Sequence, residues 1–224
     1  MTSWVAWARW LFALPLVCAI TIGHAQSVPG QSASVLYTLD PAASQLYWRV
    51  YSDGALARLG HNHVIAAREF SGAVQLQDPL ALSSLELQIP VATLVVDDPS
   101  LRAQLGDGFT SQPSEDDIAG TRRNMLSRRL LDGDTHPRLL ISGTGPLGEP
   151  GNQHMALRVT VAGNSVALQV PVEVTLEGEA LLAQGRFQLT HEALGLEPFS
   201  ALMGTLKVAQ PLDFDFRFVA RRAE

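Results

Sequence analysis

"VAGNSVALQVPVEVTLEG", residues 161–178, decides the fold class. Val166, Leu168, Val170, Val172, Val174 and Leu176 occupy alternate positions, with Gln169, Glu173 and Thr175 among the residues between them. A helix needs apolar side chains three and four residues apart, whereas successive strand residues point to opposite faces. The alternation therefore predicts a strand with one buried face. Gly163-Asn164 before it and Glu177-Gly178 after it carry turn chemistry, and residues 161–166 predict a tight hairpin.

The same alternation recurs on both sides. Leu212, Phe214, Phe216 and Phe218 are separated by Asp213, Asp215 and Arg217, and residues 85–91, 46–50 and 157–161 repeat the pattern. Ser52-Asp53-Gly54 and Gln77-Asp78-Pro79 punctuate these runs. Pro90 and Pro171 fall inside apparent strands, and since proline cannot donate to a ladder each predicts a bulge or a strand end. Residues 114–133 break the pattern: Ser114 suits an N-cap, acids at 115–117 suit the first turn, and Gly133 suits a stop. Residues 97–113, rich in Gly, Pro, Asp and Ser, predict a mobile loop. The expectation is an all-β domain over residues 36–222, a barrel or sandwich of about eight strands with one main helix. A small barrel whose strands all have one apolar face must fill its interior with side chains or enclose a ligand.

Arg9, the apolar run 10–22 and Gly23-His24-Ala25 predict a secretory signal cleaved after Ala25, followed by a flexible leader over 26–35. The apolar run is short for a membrane span, which needs about 20 residues. Cleavage would remove the single cysteine, Cys18, so the mature periplasmic chain folds by core burial without a disulfide. Removing 25 residues from 224 leaves 199, and loss of Arg9 takes the formal charge from −6 to −7. Such an acidic chain is a poor partner for nucleic acid. Lys207 is its only lysine.

Candidate site residues come in three groups. His61 and His63 in "RLGHNHVI" (58–65) lie two apart, which on a strand sends both imidazoles to one side. Three readings suit them: ligands of zinc or another metal, lacking an identifiable third ligand; rim imidazoles hydrogen-bonded to loop backbone, with Gly60 bending the chain; or contacts to a ligand head group. Arg122, Arg123, Arg128 and Arg129 suit either a phosphate head or a solvated helix face, with Arg122 the rim candidate. Met125 suits a flexible lid or simple packing. Trp48, Val50, Phe70, Phe187, Leu189, Phe214 and Phe216 are the apolar strand residues available to line a lumen with Met125. No nucleophile elbow, catalytic triad or phosphate-cradling glycine loop is present, so no catalytic residue is assigned and the chain is read as a non-enzyme.

Four stretches together resemble the YceI-like family of exported lipid-binding proteins: "YTLDPAASQLYWRV" (37–50), "RRNMLSRRLLDGDTHPRLLISG" (122–143), "LRVTVAGNSVALQVPVEV" (157–174), and "GRFQLTHEALGLEPFS" (185–200) with "GTLKVAQPLDFDFRF" (204–218). The resemblance covers residues 37–220 and implies a lipocalin-like antiparallel β-barrel holding an isoprenoid chain, such as a polyprenyl or quinone tail. It implies a hydrophobic small-molecule partner and no resident cofactor, and leaves open a homodimer and transient membrane contact. The paired histidines depart from the family pattern. The alternative is therefore a metal-dependent enzyme or metal-binding protein centred on His61 and His63.

Overall fold

The computed structural model describes residues 34–223, so the predicted signal and most of the leader lie outside the described residues. Thirteen strands share one antiparallel sheet. Strands β1 (Val35–Leu39) and β2 (Gln45–Asp53) run as one interrupted stave. So do β3 (His63–Ala67) with β4 (Ser71–Leu76), and β5 (Ser84–Pro90) with β6 (Leu94–Val96). Single staves β7 (Arg138–Leu147) and β8 (His154–Val161) follow, and then β9 (Asn164–Pro171) continues into β10 (Glu173–Glu177). The last staves are β11 (Ala180–Thr190) and β13 (Leu206–Arg222), with the two-residue β12 (Ser200–Ala201) between them in sequence.

Each stave pairs antiparallel with the one before it. The long β13 then pairs back on both halves of the first stave, Phe214 opposite Trp48 and Arg222 opposite Tyr37. Eight staves in sequence order thus close into an up-and-down barrel, which leaves no long free edge.

The interruptions follow from local chemistry. Pro90 and Pro171 each end a strand, as expected of residues that cannot donate to a ladder. At Pro171 the stave also changes partners, β9 bonding to β8 and β10 to β11. Asp40-Pro41 separates β1 from β2: the Asp40 carboxylate accepts from the Ala42 and Ala43 N–H groups and ion-pairs with Arg221 at 2.8 Å. The predicted hairpin sits between Val161 and Asn164, with Ala162 and Gly163 both left-handed (φ +48° and +79°). That twist matches the flanking strands. A Cβ on Gly163 would also meet the His136 ring at 2.9 Å.

Two expectations need correction. Helix α2 spans Glu115–Leu126, capped by a reciprocal Ser114–Asp117 box, and stops well before Gly133. The chain leaves the helix at Ser127 so that Leu130 and Leu131 can turn into the barrel, and burial of these two outweighs continued helix. Arg128 and Arg129 therefore lie outside it. Nor are residues 97–113 a loose loop. They contain a one-turn helix α1 (Pro99–Arg102), capped by Asp98 with Pro99 in its first turn, and they bury Leu101, Arg102 and Phe109.

Candidate functional site

The alternating residues face a hollow interior. A cavity of about 370 Å³ runs inside the barrel, within the range of small-molecule sites. Its most ordered wall is an aromatic row set by register. Phe187 on β11 lies opposite Phe214 on β13, which lies opposite Trp48 on β2. The Phe187 and Phe214 rings stack at 4.9 Å with 3° between planes, and Trp48 continues the stack at 5.7 Å. Inward-pointing Trp48, Phe187, Phe214 and Phe216 are only half-buried, because they face open space rather than packed neighbours. The opposite side of β13 carries Asp213 and Asp215, which engage Gln188, Tyr51, Arg49 and Arg186 outside the barrel.

One end of the cavity is shut. Ser83, Gly145, Pro146, Val172 and Leu181 line it there and are all buried. Ser83 ties that end together: its hydroxyl accepts from the Gln77 N–H, and its carbonyl accepts from the Gly145 N–H. At the other end the lining residues are accessible, among them His61, Asn124, Phe199 and Lys207. The mouth thus lies between the chain after β2, helix α2 and the connection before β13.

At this mouth an otherwise apolar cavity becomes polar. His63, the first residue of β3, places Nδ1 2.6 Å from Asp97 Oδ2 and Nε2 3.3 Å from the Thr121 hydroxyl on α2. Asp97 is buried and left-handed (φ +56°), and its other oxygen accepts from the Val64 N–H at 3.0 Å and from Arg102 Nη1 at 2.6 Å. Burial alone would push the Asp97 carboxyl up. The hydrogen bonds from His63, Val64 and Arg102 outweigh it and hold the carboxyl below its ordinary value. With Asp97 ionised, His63 donates its Nδ1–H to that carboxylate, and Nε2 faces the Thr121 hydroxyl at the cavity wall. Arg102 is itself fixed by the carbonyls of Asn62 (2.7 Å), Ser111 (2.7 Å) and Phe109 (3.2 Å).

His61 also lines the cavity, its Nε2 3.7 Å from Asp117 Oδ2 and its ring 6.2 Å from that of His63. The two histidines thus share one side of the wall, although His61 lies before the strand that begins at His63. Among the described residues no group of three or more His, Cys, Asp or Glu side chains is placed to hold an ion, and His63 Nδ1 is engaged by Asp97.

The structure also redistributes the expected roles. Asn62, between the histidines, is the residue that stitches loop backbone, accepting from the Ser52 N–H and donating to the Gly108 carbonyl. The chain does bend at Gly60, whose own backbone is extended (φ −100°, ψ 178°). It permits close approach, since a Cβ there would lie 3.2 Å from Leu206. Trp48, Val50, Met125, Phe187, Leu189, Phe214 and Phe216 line the cavity, but Phe70 does not. It packs edge-on against Phe218 at 5.5 Å, where the chain breaks between β3 and β4. Arg122 is also absent from the wall: its guanidinium donates to the Leu94 and Ala92 carbonyls and fastens α2 to the third stave. Asp97, Arg102 and Thr121 were not among the candidates, although Asp98-Pro99 ahead of Leu101 was a readable helix start.

His191 sets the pH response of the cavity wall. It is buried, and desolvation holds its pKa below the usual histidine value although its Nδ1 hydrogen-bonds the Gln210 carbonyl at 3.1 Å. The unfolded chain therefore binds this proton more readily than the folded one. Stability is unaffected above pH ~6.5 and falls as pH drops below it toward the lower folded pKa. Urea unfolding at pH 7.5 and 5.5 should show this loss, and His191→Gln should flatten it. An unchanged slope in the variant would assign the loss to other groups.

No protein-family model matches the chain, and no curated protein matches it. Solved structures do. Burkholderia cenocepacia BcnA aligns over 81% of this chain and 98% of its own, at 16% identity and a TM-score of 0.58. A cysteine variant of the Campylobacter jejuni YceI protein aligns over 71% of this chain and 84% of its own, at 8% identity and a TM-score of 0.50. At such identities the likeness speaks for architecture alone: the chain has the YceI-type barrel fold.

Proposed function

We propose that the barrel binds and carries one apolar-chain lipid of isoprenoid type, tail in the lumen and head at the mouth. The observation that carries this reading is the aromatic-lined cavity, shut by buried residues at one end and opening at the other among the His61, His63 and Thr121 side chains. Each methylene transferred from water to such a wall contributes about 0.8 kcal/mol. The head group meets His63 Nε2 and the Thr121 hydroxyl, exchanging the hydrogen bond that these two make with each other for bonds to itself, with His61 at the rim. The protein acts as a carrier rather than an enzyme. The N-terminal signal pattern supports a periplasmic location.

Native mass spectrometry of protein purified from its export compartment, followed by organic extraction, tests the carrier reading. The expected result is an adduct of lipid mass that enters solvent as an isoprenoid. Bare polypeptide mass together with an empty extract would sink it. The head-group assignment has its own test. His63→Ala should reduce the preference for a polyprenol over its headless hydrocarbon by roughly fivefold, the worth of about one net hydrogen bond. Equal preference before and after the substitution would remove His63 from the head-group site.

A further inference from the structure

We propose that the open end of the barrel docks on an anionic lipid bilayer through Leu59, Leu202 and Met203, bringing the mouth against the membrane. The use of such docking rests on the carrier reading, but the contact itself is separable from it. Leu59 is 67% exposed, Leu202 62% and Met203 103%. They belong to one rim, because the Leu56 N–H donates to the Thr205 carbonyl and joins residues 54–60 to residues 199–206. Leu202 and Met203 are both left-handed, at φ +50° and +56°. Apolar L-residues seldom adopt that conformation, and here it turns two large side chains out into water.

The rim adjoins the site. Gly60 follows Leu59 and lines the cavity, as do Phe199 and Lys207. Its charge also differs from that of the whole. The chain carries a formal charge of −6, while residues 54–64 and 198–212 contain no acid, Asp53 and Glu197 bordering them and Asp117 reaching His61 across the mouth at 3.7 Å. Arg58 stands exposed in this rim, and Lys207 is countered only by Asp53 at 3.1 Å. Apolar tips with the exposed Arg58 beside them match the interface of an anionic bilayer, where side chains insert and cations meet head groups. A second copy fits less well, since a face-to-face pair would bring Arg58 and Lys207 toward their own counterparts. A lipid tail would then pass from bilayer to lumen without crossing open water.

The test places an environment-sensitive fluorophore at position 203 of the full chain through Met203→Cys, with Cys18→Ser to remove the other thiol. A control carries it at the shut end through Leu176→Cys, where the native side chain is also exposed. Vesicles of phosphatidylcholine mixed with phosphatidylglycerol should blue-shift the position-203 probe and leave the position-176 probe unchanged. That site-resolved contrast is insensitive to any membrane affinity of the N-terminal apolar run. Adding Leu202→Asp beside the label should weaken the response about tenfold or more by removing a buried leucine, with the fold retained because aspartate tolerates the left-handed position. Equal shifts at both positions, or none at 203, would overturn the proposal. A concentration-dependent shift without vesicles would also overturn it, by assigning the rim to a second copy. Loss of lipid from the extract with the vesicle contrast intact would instead remove the carrier reading and leave the docking.

Discussion

Arg102→Ala should destabilise the protein by about 3–5 kcal/mol, although Arg102 belongs to a segment with no long regular element. The Asp97 side chain is fully buried, and among the described residues Arg102 is the one arginine or lysine paired with it, at 2.6 Å, beside the His63 ring. Removing the guanidinium leaves the buried carboxylate with the His63 ring and the Val64 N–H alone. It also frees the carbonyls of Asn62, Phe109 and Ser111 together, so the strap over the mouth loses its anchor. A solvent-exposed pair would contribute less than about 1 kcal/mol, so the measurement discriminates. The pH dependence has a definite sign. The folded Asp97 pKa lies below its unfolded value of about 3.9, so its contribution is complete above that pH and is lost as pH falls through the folded value. Without Arg102 the carboxyl rises, and the acid transition should move to higher pH. Arg102→Lys should recover part of the loss, since one ammonium cannot span the same three carbonyls and the carboxylate. Urea titration followed by circular dichroism measures all of this. A cost under about 1 kcal/mol would show that the buried ion pair does not hold the mouth together.

How far the sequence carries the reader depends on the range of each interaction. Alternation in residues 166–176 and 212–218 was enough for strands, because the period-two pattern is local. It also named most of the wall, since a residue such as Phe214 must face one side or the other. It could not show that Phe187, Phe214 and Trp48 meet in one row, which depends on register between staves far apart in sequence. Phe70 was misassigned for a related reason: it sits at a break between strands, where alternation no longer sets direction. The buried ion pair was illegible for a different cause. Asp97 and Arg102 lie among turn-forming residues, and burial of a charged pair leaves no periodic trace. The histidines line the cavity, and their partners Asp97, Thr121 and Asp117 are ones that only tertiary structure reveals.

Ala183→Trp should abolish lipid uptake while leaving the barrel folded. Ala183 sits on β11 opposite Phe218 and lines the cavity, so a larger side chain there projects into empty space. Overpacking a filled core costs about 1–3 kcal/mol, but here the indole meets a void and adds apolar contact, so the melting temperature should hardly change. The effect falls on the ligand. If the indole excludes about four methylenes, the loss is near 3 kcal/mol, roughly a hundredfold in affinity. Arg186→Trp is the matching control: the native side chain is 82% exposed on the outer face of the same strand, and the change should not alter uptake. Titration of both variants with a fluorescent polyprenol, alongside thermal unfolding, separates the cases. Uptake lost in the first variant and kept in the second would place the tail inside the lumen. Equal uptake in both would put the ligand elsewhere on the protein and leave the aromatic row as architecture alone.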